Sequence, residues 1–374
     1  MKIADVQASR YLKKVDAADF GVAADIVVTE ITTEDGISGV GFLSLIASKN
    51  GAIGDAYVGL INGFFRNLLV GRDAFATEAI WDAMYRQTVR WGRLGIALQC
   101  ISMVDIALWD IKARFSGVPL WKLLGGPSKD HVPLYANTAQ NLPPNELAER
   151  AAEYVGMGFK AVKIRGAASV VSAEEATQRV AAVREAIGPD VKLMVDVNGT
   201  YDVLHAIRML RDWEPYDVFW LEEPVPPDDV EGYRQVREVA RTIGTNIVGG
   251  EQHGSSHDFR VMFEREALDI AQPDVGECGG ITEFLRIVSL ARSYSVAVSP
   301  HTVQHVHNHL VAALPGLMWV EFFMGDNELR DFTLELLHKP VEALEHDNGV
   351  LPLPETAGLG VELNPEVAER YRVS

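Results

Sequence analysis

Cysteine is nearly absent from this 374-residue chain, with only Cys100 and Cys278 present. Two cysteines supply neither a disulfide framework nor a zinc ligand set, so a reducing, cytoplasmic setting is the simpler expectation. Positive charge is scarce too: 34 Lys and Arg stand against 52 Asp and Glu, a formal net charge of −18. That balance argues against a nucleic-acid backbone or an anionic membrane as partner and leaves a small molecule. No apolar run approaches the roughly 18 residues of a membrane span. The opening Met1-Lys2-Ile3-Ala4-Asp5-Val6 reads as a strand and lacks the apolar core of a signal peptide. What is present is ordinary for a globular protein, 48% hydrophobic and 23% charged residues. The length exceeds one compact core and fits two domains, one of them large.

The first 45 residues read as an antiparallel meander. A β-rich stretch from Ala24 to Thr33 is followed by Asp35-Gly36, a hairpin turn into Gly39-Val40-Gly41-Phe42-Leu43. Two small-residue loops, 15–22 (containing Phe20-Gly21) and 46–54, flank these strands and are candidates for specificity. Helical patterns follow near 55–69, 77–91 and 94–115. In the last, Ile96, Cys100, Met103, Ile106, Ala107 and Ile111 recur at helical spacing before the stop at Gly117-Val118-Pro119. Three strands followed by three helices make an α+β unit.

From residue 131 the pattern alternates. Short apolar segments keep ending in a charged residue: Val162-Lys163-Ile164-Arg165, Met194-Val195-Asp196, Trp220-Leu221-Glu222, Val248-Gly249-Gly250-Glu251, Ile270 to Asp274, Val298-Ser299-Pro300-His301 and Trp319-Val320-Glu321. Most are separated by a helix-like segment, and the beat of roughly 20–33 residues suits the strand–helix unit of a barrel. The C-terminal strand tips of such barrels share one cavity, which holds the active site.

Asp196, Glu222 and Glu251 close three consecutive inferred strands. Three carboxylates in one low-dielectric pocket repel unless a cation sits among them, and an all-oxygen set points to Mg²⁺. Lys163 and Arg165 lie two apart on one strand and so point to the same side. A lysine there can have a depressed pKa and act as a base; Arg165 stays protonated and suits a carboxylate or a developing negative charge. Asp274 and His301 close neighbouring strands and can form a general-base dyad if they meet. Glu321 is expected to be protonated by burial and to donate to an oxyanion. Asn198, His253 and Phe20 are candidate substrate contacts. Of His305, His307 and His309, one is expected to line the pocket and the others to be structural.

This set of residues resembles the enolase superfamily, and within it the mandelate racemase-like subgroup. The resemblance spans nearly the whole chain. It rests on Ala107-Leu108-Trp109-Asp110-Ile111-Lys112 with the stretch from Pro119 to Gly126, on Glu222-Glu223-Pro224 and Gly250-Glu251, and on Pro273-Asp274 followed by Gly279-Gly280-Ile281-Thr282. It implies an α/β fold: a (β/α)7β TIM-like barrel with an α+β capping domain built from the N-terminal region and the C-terminal tail. The expected division is 1–125 for the cap, 126–330 for the barrel and 331–374 for a return onto the cap. It further implies Mg²⁺ ligands Asp196, Glu222 and Glu251, a dyad Asp274–His301, and Glu321 as electrophilic acid. A homo-oligomer, from dimer to octamer, is expected.

One position departs from the racemase-type Lys-x-Lys pattern, because the second strand carries Lys163-x-Arg165. A racemase needs a base on each face of the carbanion, so the substitution favours β-elimination. The expectation is therefore a dehydratase that converts an aldonate or aldarate, the substrate class the resemblance implies, to a 2-keto-3-deoxy acid. A racemase or epimerase of a 2-hydroxy acid, with Lys163 as second base, is the alternative. Cycloisomerase-type relatives with a lysine on the sixth strand are disfavoured by Asp274. A diacid would need a second cation, for which Arg90 and Arg93 are candidates.

Overall fold

The computed structural model describes residues 1–14, 23–45, 53–138, 141–166, 171–324, 328–338 and 345–373. Phe20 and most of the two candidate specificity loops lie outside the described residues. The chain begins with an antiparallel sheet of β1 (Ile3–Lys14), β2 (Ala23–Thr33) and β3 (Ser38–Ser44). The Asp35-Gly36 turn joins the last two, with Gly36 at φ 79°. Helices α1 (Gly54–Gly59), α2 (Arg66–Leu69), α3 (Thr77–Thr88), α4 (Ile96–Phe115) and α5 (Leu120–Leu123) follow. A π-helical stretch, Leu60–Phe65, joins α1 to α2 over the helix expected at 55–69. α4 is buried along most of its length. β3 lies so close to it that a Cβ on Gly41 would collide with the Met103 carbonyl oxygen, which explains a glycine within that strand.

The alternating half contains β4 (Val132–Asn137), α6 (Pro144–Gly156), β5 (Ala161–Arg165), α7 (Ala173–Ile187), β6 (Lys192–Asp196), α8 (Val203–Trp213), β7 (Val218–Glu222) and α9 (Val230–Thr242). It continues through β8 (Asn246–Gly249), α10 (Ser256–Glu264), β9 (Ile270–Ala271), α11 (Gly280–Ser293), β10 (Ala297–Val298), α12 (Gln304–Ala313) and β11 (Val320–Phe323). The eight strands are parallel and run in the order β10-β9-β8-β7-β6-β5-β4-β11. A parallel bridge between Val298 and Leu317 and a 2.8 Å hydrogen bond from the Met318 amide to the Val298 carbonyl tie β10 to the approach of β11. The ring closes as a (β/α)7β barrel. Helix α9 buries one stripe, Tyr233, Val236, Arg237 and Ala240 at helical spacing, whereas α12 is buried along its whole length. Ser172, Asp202 and Asp229 cap α7, α8 and α9 by accepting from backbone amides three residues on.

Period-two alternation then positions the site. Tyr135, Ala161, Met194, Trp220, Val248 and Ile270 form a buried cluster inside the barrel. Two residues further along the same strands, on the same face, stand Asn137, Lys163, Asp196 and Glu222, and Glu321 is likewise two beyond Trp319. A dry apolar layer therefore underlies a charged one. Three strands end sooner than their apolar runs suggest, at Gly249, Ala271 and Val298. Gly250 takes φ 125°, and Pro273 and Pro300 lack the amide that a ladder needs, so Glu251, Asp274 and His301 project from the loops just beyond.

The tail comprises α13 (Glu328–Leu336), β12 (Leu337–His338), β13 (Val350–Leu351), β14 (Glu362–Leu363) and α14 (Pro365–Tyr371). β13 pairs with barrel strand β4. Beyond it, Leu359 donates to Asp110 at 2.8 Å, Arg114 donates to the Val361 carbonyl at 2.7 Å, and Val373 donates to the Arg10 carbonyl at 2.9 Å. Among the described residues no helix is long and apolar enough to cross a membrane.

Candidate active site

Lys163, almost fully buried on β5, places its Nζ 2.5 Å from Glu222 Oε1 and 2.7 Å from Glu321 Oε1. Gln272 donates to the other Glu222 oxygen at 2.9 Å. Glu321 accepts from Asn137 Nδ2 and, through Oε2, from the Thr302 amide at 2.8 Å. Asp196 stands in register with Arg165 on one side and Glu222 on the other. It is held by Asn198, whose amide and Nδ2 reach its two oxygens at 2.8 and 3.1 Å. Asn198 thus positions a carboxylate, and it is not in the wall of the cavity described below.

Asp274 and His301 do meet. Oδ2 of Asp274 lies 2.9 Å from Nδ1 of His301, and the same carboxylate accepts from Thr302 Oγ1 at 2.8 Å and from the Gly276 amide at 2.7 Å. With Nδ1 so engaged, Nε2 is the working nitrogen; it stands 3.2 Å from Glu251 Oε2 and 4.0 Å from Glu321 Oε2. Burial opposes a charge on this ring, but Glu251, Asp274 and Glu321 outweigh it and raise its pKa to about 10.

Two expected protonation states are reversed. Burial would strip the Lys163 proton, yet Glu222 and Glu321 outweigh burial and hold the ammonium well above its usual range, so it is not a depressed-pKa base. Burial would likewise protonate Glu321, but Lys163, His301 and the Thr302 amide bring it down to about 2. Glu321 is a carboxylate here, not an acid. One ammonium cannot neutralise both of its neighbours. Glu222 is left on the high side: burial, then Asp196, Glu321 and Glu251, push it up to about 8 against the pull of Lys163. Glu251 is raised to about 8 by burial, with Glu223 and Asp196 adding to it.

The donor set fits a hard divalent cation in chemistry and charge. Asp196, Glu222, Glu251, Asp274 and Glu321 share one buried neighbourhood, and Lys163 and His301 partner four of them. Ionised together, these five carboxylates would outnumber Lys163, His301 and Arg165, which is why Glu222 and Glu251 are pushed up and a further cation would be accommodated. Two buried oxygens there, Asn198 Oδ1 and Gln272 Oε1, make no hydrogen bond, and Glu251 Oε2 has only the 3.2 Å approach of His301 Nε2. As the side chains stand, no three His, Cys, Asp or Glu groups among the described residues converge as a ready metal cage. Lys163 and Gln272 occupy the Glu222 oxygens instead.

A cavity of about 370 Å³ opens over this layer where the barrel meets the N-terminal unit. Glu251, Asp274 and His301 are in its wall, as are His253 and His305, while Phe42 and Gln99 come from β3 and α4. Arg90 and Arg93 are exposed and are not in it. His307 and His309 are structural: His307 bonds the Val275 amide and the Thr302 carbonyl, and His309 bonds the Trp121 amide and the Leu359 carbonyl. Sequence reasoning missed Gln272, Thr302 and Gln252, which braces Glu223 at 3.0 and 3.1 Å. Gln272 lies two before Asp274 in a run already singled out; the other two gave no signal.

The family described as "Mandelate racemase / muconate lactonizing enzyme, N-terminal domain" matches residues 16–125, and "Enolase C-terminal domain-like" matches 146–367. The chain belongs to the enolase superfamily, in its mandelate racemase-like branch, and is an enzyme. It is 35% identical to the arabinonate dehydratase of Saccharolobus solfataricus over 355 residues, 93% of this chain and 91% of that one. It is 33% identical to the D-galactarolactone cycloisomerase of Agrobacterium fabrum over 365 residues, again 93% and 91%. A solved racemase from Streptomyces coelicolor A3(2), with bound magnesium, superposes at TM-score 0.88 with 30% identity, covering 99% of this chain and 100% of that one.

Proposed function

We propose that this enzyme is a Mg²⁺-dependent dehydratase of an acid sugar, an aldonate or aldarate, giving a 2-keto-3-deoxy acid. The observation that carries the reading is the asymmetry of its candidate bases. His301 Nε2 faces the cavity with Asp274 behind it, whereas Lys163 is locked between Glu222 and Glu321 and Arg165 cannot deprotonate. One base on one face, among the described residues, suits elimination and leaves a racemase without its second partner.

Bound Mg²⁺, held by Asp196, Glu222 and Glu251, would supply the positive charge that acidifies the C–H bond α to the substrate carboxylate. His301 Nε2 removes that proton while Asp274 keeps Nδ1–H oriented; the ring, raised to about 10 by its carboxylates, must first shed its own Nε2 proton, which a cation held by Glu251 would favour. The electron pair forms the Cα–Cβ double bond, the β C–O bond breaks, and the proton on Nε2 leaves with the hydroxyl as water. Because one imidazole serves both ends, the elimination is syn. The resulting enol tautomerises to the 2-keto acid. Arg165 is assigned to the substrate carboxylate. Lys163 and Glu321 are positioning groups.

An acid-sugar cycloisomerase is the second reading, since the cycloisomerase relative is nearly as similar as the dehydratase and a one-base site serves both. An acid-sugar library, incubated with Mg²⁺ or with chelator and followed by NMR, separates the two by product: a 2-keto acid or an isomer of unchanged mass. Exchange of the α-hydrogen in D₂O persisting at the parent rate in His301→Asn would remove His301 as base.

A further inference from the structure

The outer part of the cavity carries polar groups that the proposed chemistry does not use. Glu277 Oε2 accepts from Gln99 Nε2 of α4, and Gln99 in turn accepts from Tyr57 OH of α1 at 2.5 Å. A barrel carboxylate is thereby fastened to the N-terminal unit. His305 meets Phe42 of β3 edge-on at 5.7 Å. His253 Nδ1, His305 Nε2 and Thr333 Oγ1 are buried, belong to wall residues, and make no hydrogen bond. The buried His253 Nδ1 can accept from a hydroxyl in one tautomer and donate to it in the other. Among the described wall residues none is Lys or Arg.

We propose that this outer wall reads the uncharged polyol end of the substrate, which makes the substrate an aldonate rather than an aldarate, with Glu277 as the residue that rejects a second carboxylate. The inference rests on the acid-sugar reading of the same site. A sugar hydroxyl both donates and accepts, and so satisfies His253 Nδ1, His305 Nε2 and Thr333 Oγ1 in turn. A carboxylate only accepts, so it can pair with these atoms only where they donate, and it adds a second negative charge beside Glu277, where among the described wall residues the one offsetting cation is His301, already engaged by Glu251 and Asp274. Glu277 already sits in crowded company: burial, then Asp274, push it up to about 7.

The test compares matched pairs, gluconate with glucarate and galactonate with galactarate, on the full-length enzyme with Mg²⁺. Within each pair that turns over, the aldonate is expected to have at least about 100-fold higher kcat/KM. Glu277→Gln keeps an acceptor for Gln99 but removes the charge, and is expected to narrow that gap at least about tenfold through the KM of the aldarate. An aldarate used as well as its aldonate overturns the inference, and so does an unchanged ratio in Glu277→Gln. If neither member of any pair yields 2-keto acid, the dehydratase reading fails by itself. Calorimetric titration of the same pairs then decides: aldonate binding alone supports the inference, while equal binding, aldarate binding alone, or binding of neither overturns it.

Discussion

The Nζ of Lys163 lies 2.5 Å from Oε1 of Glu222 in the dry layer of the barrel. With Glu321 Oε1 2.7 Å from the same nitrogen, the ammonium is a brace between two carboxylates rather than a free base. Lys163→Met leaves both carboxylates buried without their cation, and is expected to lower unfolding stability by about 3–5 kcal/mol. Denaturant titration reads that loss. A drop below about 1 kcal/mol would show that Lys163 is not the brace described here.

If Lys163 is no base, the enzyme has only one face from which to exchange a proton. Substrate recovered from partial turnover in D₂O should keep its α-configuration. Appearance of the opposite epimer, followed by NMR, would restore the racemase alternative.

The dyad gives a second kinetic expectation. His301→Asn and Asp274→Asn should each reduce kcat by about 10²–10⁴, with smaller changes in KM. Asp274→Asn acts by losing the orientation of Nδ1 and the hydrogen bond from Thr302, not by touching substrate. Circular dichroism of both variants should match the parent, which separates lost chemistry from lost fold.

The carboxylate cluster predicts metal binding independently of turnover. Mg²⁺ should raise the melting temperature of chelator-treated protein, by a stabilisation of about 2.7 kcal/mol when the ion is at 100 times its Kd. Asp196→Asn and Glu251→Gln should each weaken this response. A melting temperature indifferent to Mg²⁺ in the parent would rule out the ligand assignment.

His307, packed behind the dyad, and His309, against the tail, make the fold sensitive to acid. Burial lowers both from the ordinary 6.5 to about 4. In that window the unfolded chain binds protons that the folded chain refuses. The stability these rings contribute is therefore whole above pH 6.5 and is lost as pH falls toward 4. The slope is at most about 1.4 kcal/mol per pH unit for each ring. Chemical denaturation between pH 7 and 4.5 should show a shallower decline in His309→Gln than in the parent.

Much of the fold is visible in the chain because it is written at short range. A strand alternates every second residue, so Met194 and Asp196, or Trp220 and Glu222, must face the same way whatever their neighbours do. Pro273 and Pro300 could have warned that their strands stop early, since an amide is missing from each. By contrast, the charge states of Lys163 and Glu321 were misjudged. Burial alone points to a protonated Glu321, and a neighbouring metal and cation point to a depressed Lys163, but the ion pair between the two outweighs both.

The sequence by itself therefore determined the barrel, the order of its charged tips and the dyad's two members, because spacing along a strand sets which face a side chain occupies. Only the tertiary structure decided which groups touch: Lys163 with a glutamate 59 residues away, and Gln99 with a glutamate 178 residues away. A pKa follows from charges and burial through space, and no local pattern in the chain carries that information.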